Sequence, residues 1–219
     1  MAGELIRSIA RLRLEKAALG LFKFRDWQMD FRTFELEGLV EVTPRRFADG
    51  RGYFSEIFRA DILSEYIGER EFVQENQSLS VPVGTIRGIH FQVGAAAQGK
   101  LVRCVAGAIF DVAVDLRHGS STFGRWASVI LSAEAGNQLW LPEGFGHGFC
   151  SLEPRTIVCY RVTDYYSPDH DKGLAWDDPD IAIDWPDIAD AGTLSPKDRV
   201  QPKLIELPAY FSVEDTRCE

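Results

Sequence analysis

The chain has 219 residues, 45% of them hydrophobic and 11% aromatic, enough for one sizeable core in a single globular domain. A net charge of -9 leaves no basic face to drive nucleic-acid binding, so any anionic ligand has to be gripped by a local cluster of Arg and Lys. No apolar run reaches the roughly 18 residues that cross a membrane, and Cys104, Cys150, Cys159 and Cys218 lack metal-ligand spacing, which fits a reducing cytoplasm.

In chain order, residues 1–34 form an amphipathic extension and residues 35–219 the main domain. Leu5, Ile6, Ile9, Leu12 and Leu14 recur among Arg7, Arg11, Arg13 and Lys16 at nearly helical spacing, which predicts one helix over residues 4–22. Such a helix packs on its own body or on a neighbouring subunit. Its basic flanks also suit a membrane surface, whereas Glu4 and Glu15 speak against a transit peptide, and there is no uninterrupted apolar core for a secretory signal.

From residue 35 the period changes. Leu36 to Val42, Tyr53 to Phe58, Leu101 to Val105, Ile109 to Leu116, Ala127 to Leu131, Gln138 to Leu141 and Thr156 to Val162 are short, β-branched or aromatic, and separated by Gly, Pro, Asn or Ser. Many short strands with turns between them predict an all-β, antiparallel sandwich or barrel. Within Ile109 to Leu116, Phe110, Val112, Val114 and Leu116 share one face and Asp111, Ala113, Asp115 and Arg117 the other, a polar face that suits a ligand-lined interior or a solvated outside. Asp61 to Gly68 reads as a short helix capped by Asp61. The last fifty residues combine Trp176 and Trp185 with Pro179, Pro186, Pro196 and Pro202, as loops wrapped over the body do.

Polar chemistry concentrates in two consecutive strand-like runs, Arg87-Gly-Ile-His90-Phe-Gln92 and Gln98-Gly-Lys100-Leu-Val-Arg103. They bring a histidine, two arginines and a lysine to strand ends, an arrangement suited to an anionic substrate. Further on, Pro142-Glu-Gly-Phe-Gly-His147-Gly-Phe149 resembles the second signature of the cupin jelly rolls. Metal-binding cupins pair that histidine with a His-x-His on an earlier strand, but here the earlier strand reads His90-Phe91-Gln92. Two histidines with no nearby carboxylate partner make a poor three-ligand site, so no metal is expected and the histidines are left as acid, base or hydrogen-bond donor.

These two runs, with Phe110-Asp-Val-Ala-Val-Asp115, Gln138-Leu-Trp-Leu-Pro-Glu-Gly-Phe-Gly-His147-Gly-Phe149 and Thr163-Asp-Tyr-Tyr166-Ser-Pro168, resemble the dTDP-4-dehydrorhamnose 3,5-epimerase family, five motifs in register between Leu36 and Asp198. The resemblance implies a cupin-type jelly roll without metal or cofactor, a homodimer, and inversion of the carbons flanking the 4-keto group of a nucleotide-linked 6-deoxyhexose. It also implies roles. His90 becomes the base, oriented by Asp198; Lys100 stands near the developing oxyanion; Tyr160 donates a proton on the opposite face. Arg87 and Arg51 suit a diphosphate. Gln74 and Asn76 match residues that read the base or adjacent groups. Phe54 and Glu56 lie with Arg51 in a nucleotide-contacting segment that in a dimer reaches the neighbouring pocket. His147 lies near the sugar, Tyr166 closes over its ring, and Lys197 and Asp171 complete the set, Asp171 at a position that is usually glutamate.

By default each of these is a bland residue: a histidine satisfied in a strand, a tyrosine in a core, a solvated loop pair at Lys197 and Asp198. Where the family commonly reads Gln-Asp-Asn-His-Ser, this chain reads Gln74-Glu75-Asn76-Gln77-Ser78, a departure that touches recognition of the nucleotide or sugar rather than catalysis. The alternatives are a relative inverting one carbon only, a ketoisomerase on another nucleotide-linked 4-keto sugar, and a cupin that binds such a sugar without chemistry.

Overall fold

The computed structural model describes residues 29–214. The helix expected over residues 4–22, and Cys218, lie outside the described residues. The described chain falls into two compact units, the hairpin segment Pro44–Ile57 and a body made of Phe31–Thr43 with the residues from Phe58 onward.

The hairpin unit holds β3 (Arg46–Asp49) and β4 (Gly52–Ser55), paired antiparallel through an Asp49–Gly52 turn. Asp49 fixes that turn by accepting from the backbone N–H of Arg51 at 2.8 Å and from its guanidinium at 2.6 Å.

The body is two antiparallel sheets. The six-stranded sheet contains β1 (Asp30–Thr33), β2 (Val40–Thr43), β5 (Gln74–Ser80), β7 (Lys100–Ala106), β11 (Gln138–Leu141) and β13 (Thr156–Val162), in the order β1-β2-β11-β7-β13-β5. The five-stranded sheet contains β6 (Ile86–Gln92), β8 (Ala108–Asp115), β10 (Trp126–Ser132), β12 (Phe145–Ser151) and β14 (Asp171–Gly173), in the order β10-β8-β12-β6-β14. From β5 to β8, and again from β10 to β14, successive strands alternate between the sheets, the wiring of the expected jelly roll. β9 (Arg117–His118) pairs with β15 (Phe211–Ser212) in parallel.

Two apolar layers hold this together. Ile109 and Phe149 of one sheet meet Val102, Leu139 and Val158 of the other in the interior. On its opposite face the five-stranded sheet presents Ile89, Phe91, Val112 and Val114, which are covered by Leu174, Ile181 and Phe211, with Trp185 and Leu204 packed against them. The Trp- and Pro-rich C-terminal segment is therefore a strap over that sheet, and the polar face of β8 is the interior: Asp111 and Asp115 are both fully buried. Arg117, Ser120 and Thr122 saturate Asp115 with hydrogen bonds of 2.6–2.9 Å.

One local expectation is corrected. The helix α1 (Ala60–Ile67) has Arg59, not Asp61, as its N-cap residue. Asp61 sits in the first turn and accepts from the Arg59 guanidinium at 2.8 and 2.6 Å, where a negative charge meets the positive end of the helix.

Candidate active site

In a regular strand, residues three apart point to opposite faces, so Arg87 and His90 would diverge. A bulge brings them together. His147 of β12 pairs with His90 and Phe149 with Arg87, so Gly88 and Ile89 jointly oppose Gly148. Gly88 has φ +122°, and a Cβ there would lie 2.5 Å from Cα of Gly148 and 2.7 Å from the His147 carbonyl oxygen. Glycine is required on both counts. Arg87 then reaches to β5 in the other sheet, donating through Nε to Ser80 Oγ at 3.1 Å and through Nη2 to the Leu79 carbonyl at 3.0 Å.

His90 meets Asp198, 108 residues away, with Nε2 2.5 Å from Oδ1. The strap delivers Asp198. The Thr193 hydroxyl accepts from the backbone N–H of Ile86 at the start of β6, and Ser195 Oγ accepts from the N–H of Asp198 at 3.1 Å. Burial, with only 4% of the residue exposed, pushes the Asp198 carboxyl up. The hydrogen bond and charge of His90, with help from Ser195 and Lys197, outweigh it and hold the group below the usual carboxylate range.

Lys100 opens β7 on the inward face shared with Val102 and is 8% exposed. Its ammonium donates to the His90 carbonyl at 3.1 Å, tying the two sheets at the site. Burial pulls its pKa down to about 8; Asp171 and Asp111 oppose that and Lys197 adds to it. Tyr160 on β13 pairs with Val102 and with Asn76 of β5, so it shares the inward face, and Gln74 follows opposite Val162. Burial raises the Tyr160 phenol above its ordinary value, with Arg87 lowering it and Asp171 raising it further.

Asp171 on β14 accepts from the Tyr166 hydroxyl at 2.9 Å and from the Lys197 ammonium. Gln74 donates to Asn76 Oδ1 at 2.8 Å and accepts from the N–H of Tyr166 at 3.2 Å, fastening the Tyr166 loop to β5. Gln92, standing where metal-binding cupins carry a second histidine, spends its amide on that loop: it donates to the carbonyls of Ala96 and Tyr165 and accepts from the N–H of Ser167.

His147 lies on the same inward face, pairing with His90 and Ala113, and its Nε2 is 2.7 Å from Oδ1 of Asp111. The resemblance pairs His90 with Asp198 and leaves His147 without a carboxylate, and the second of these readings is corrected. Each has one, Asp198 from the strap and Asp111 from β8, both distant in sequence. Sequence reasoning missed Asp111 as a site residue, although its place on the polar face of β8 was the available signal.

The structure thus brings His90, Lys100, Asp198 and His147 together, with Arg87, Tyr160, Gln74, Asn76, Tyr166, Asp171 and Lys197 around them. Arg51, Phe54 and Glu56 belong instead to the hairpin unit. Glu75 and Gln77, the departures from the family pattern, face away from the interior: Glu75 pairs with Arg103 at 3.4 Å and Arg161 at 3.7 Å, and Gln77 accepts from Cys159 Sγ. They do not join the site, so they carry no argument about the sugar.

The family model described as dTDP-4-dehydrorhamnose 3,5-epimerase matches residues 33–206. The dTDP-4-dehydrorhamnose 3,5-epimerase of Sinorhizobium fredii is 50% identical over 184 residues, covering 84% of this chain and 94% of its own length. The dTDP-4-dehydrorhamnose 3-epimerase of Streptomyces niveus is 42% identical over 195 residues, covering 85% and 92%. A crystal structure of the Legionella pneumophila dTDP-6-deoxy-D-glucose-3,5-epimerase in complex with dTDP-4-keto-L-rhamnose superposes with a TM-score of 0.78, at 42% identity over 83% of this chain and 96% of that one. With a bulge that turns Arg87 and His90 inward, a strap that seats Asp198 behind His90, and relatives of this closeness along nearly their whole length, the chain belongs to the dTDP-4-dehydrorhamnose 3,5-epimerase family.

Proposed function

We propose that the chain is an isomerase that inverts the carbons flanking the 4-keto group of a dTDP-linked 4-keto-6-deoxyhexose, a step of dTDP-L-rhamnose or related deoxysugar biosynthesis. The observation that carries this reading is the His90–Asp198 pair, Nε2 to Oδ1 2.5 Å, on the inward face of one sheet, with Lys100 and Tyr160 on the inward face of the other. A proton beside a ketone is weakly acidic, so its removal needs a base, a stabiliser for the enolate oxygen and a donor on the far side.

Asp198 holds the Nε2 side of the imidazole, which leaves Nδ1 as the basic nitrogen. His90 takes the proton and becomes imidazolium, stabilised by the ionised Asp198. Lys100 stabilises the enolate. Tyr160, kept protonated by its raised pKa, delivers a proton to the opposite face and inverts the centre. Arg87 and Arg51 bind the diphosphate, Gln74 and Asn76 the base or its neighbourhood, and Tyr166, Asp171, Lys197 and His147 surround the sugar. In a cytoplasmic homodimer, Arg51, Phe54 and Glu56 of each hairpin complete the neighbouring pocket. The scheme needs no cofactor.

The test is incubation with dTDP-4-keto-6-deoxyglucose in deuterated water, counting deuterium at each carbon. Uptake at C3 and C5, lost in His90→Ala, is the expected result. Uptake at one carbon places the chain with single-centre relatives such as the Streptomyces niveus 3-epimerase, and no uptake by the wild type defeats the reading.

A further inference from the structure

His147 is placed beside the sugar in these steps, but its carboxylate partner Asp111 has no part in them. Asp111 is fully buried in β8; Oδ1 is engaged by His147 at 2.7 Å, while Oδ2 is sealed from solvent and has no hydrogen-bond partner among the described residues. A buried carboxylate oxygen without a hydrogen bond is unfavourable unless a positive charge answers it. The buried cation of the same cluster is Lys100: among the described residues its ammonium donates to the carbonyl of His90, the residue that pairs with His147 across β6 and β12.

We propose that Asp111 is the positioning residue of Lys100: it supplies the internal negative charge against which the Lys100 ammonium is held between the sheets, and His147 fixes that carboxylate in place. The inference rests on the epimerase reading only in giving Lys100 an oxyanion to stabilise.

Several charges bear on Lys100. Asp171 of β14 and Asp111 of β8 favour its ammonium, Lys197 of the strap opposes it, and His90 of β6, His147 of β12, Tyr160 of β13, Tyr166 and Asp198 are the other groups of the site that titrate below arginine. Asp171 is already shared with Lys197 and Tyr166, so Lys197 repels Lys100 while Asp171 attracts it. Asp111 has no such competitor: His147 and Lys100 are the groups that draw its carboxyl down against burial, which on balance keeps it above the usual range. The dependence is mutual, as linked titrations require.

The experiment reads Lys100 directly. In protein labelled with 13C at the lysine Cε, the Lys100 resonance, assigned by its loss in Lys100→Gln, is followed against pH in the wild type and in Asp111→Asn. Asparagine keeps the shape and a hydrogen-bonding group for His147 while removing the charge. The Lys100 midpoint falls by about one pH unit in Asp111→Asn, and the alkaline limb of the epimerisation rate moves to lower pH by the same amount. A merely structural role lowers the rate at every pH and leaves the midpoint in place, and that outcome overturns the proposal. If Asp111→Asn does not fold, the wild type decides. The 13Cγ shift of Asp111 carries an inflection at the Lys100 midpoint if the two charges are coupled, and its absence overturns the proposal equally. Both readouts are independent of turnover, so a protein inactive in the deuterium assay still tests the coupling.

Discussion

Tyr160 shows how much of the chemistry is set by one side chain's surroundings. Its raised pKa keeps the phenol loaded with a proton throughout the neutral range, while His90 lies on the other sheet. Under the proposed mechanism, Tyr160→Phe keeps the base and removes the far-side donor, so an abstracted proton can return only from His90. Deuterium then enters with retention of configuration while inverted product disappears, which NMR of the sugar ring protons distinguishes. Equal loss of exchange and inversion would remove Tyr160 from the donor role.

Lys100 poses the opposite problem. Its pKa, lowered to about 8, means that the folded state binds the proton less tightly than the unfolded state, whose lysine titrates near 10.4. Below pH 8 both states carry the charge and folding bears the full cost of burying it, about 3 kcal/mol from the size of that shift. Between pH 8 and 10 the folded state gives up its proton first, the unfolded state binds more, and the cost shrinks as pH rises. Lys100→Met is therefore expected to stabilise the protein against urea at pH 7, by an amount that narrows through pH 8 to 10, while the proposed oxyanion role predicts that kcat falls about 10²-fold or more. A stability gain that did not vary with pH would point to packing instead.

At the scale of elements, the strand content of the chain was largely legible. Gln138–Leu141 and Thr156–Val162 form where their β-branched and aromatic pattern predicts, and the runs at 101–105, 109–116 and 127–131 differ from their strands only by a residue or so at the ends. β12 was not, because Phe145-Gly-His-Gly-Phe-Cys-Ser has no alternation and two glycines. Those glycines are there for packing: a Cβ on Gly146 or Gly148 would lie 2.6 Å from the Ile89 side chain. β5 is likewise hidden by its polarity, since Gln74 and Asn76 spend their side chains on hydrogen bonds beside Tyr160 and the Tyr166 loop rather than on filling a core. The bulge at Gly88 explains why a spacing of three puts Arg87 and His90 on one face, and it makes a prediction. Gly88→Ala forces a side chain against backbone at a φ that L-residues avoid, so it should cost at least about 2 kcal/mol in urea unfolding and depress kcat by turning Arg87 away. Gly50→Ala, where nothing lies within 4 Å of the added methyl, should change stability by less than about 0.5 kcal/mol.

At the scale of the whole molecule, the site closes only because the last forty described residues return to the first strand of the motif. No periodicity links His90 to a carboxylate 108 residues downstream; family resemblance carried that pairing, and tertiary structure explains it. The return is held by Asp178, which is 2% exposed. Its Oδ1 accepts from the N–H groups of Asp180 at 2.8 Å and Ile181 at 3.3 Å, and its Oδ2 accepts from the N–H of Leu204 at 2.6 Å. These contacts bracket the stretch that contains Asp198, so loosening them frees the carboxylate behind the base without touching the pocket. Asp178→Ala leaves three backbone donors short of an acceptor and should cost about 3 kcal/mol. Asp178→Asn keeps one acceptor oxygen and should cost less, with protection against amide hydrogen exchange lost at Leu204 before Ile181. If the displaced Asp198 orients His90 as proposed, rather than binding substrate, kcat should fall in both variants while KM stays within about twofold. An unchanged kcat in a measurably destabilised Asp178→Ala protein would show that Asp198 keeps its place without the strap's anchor.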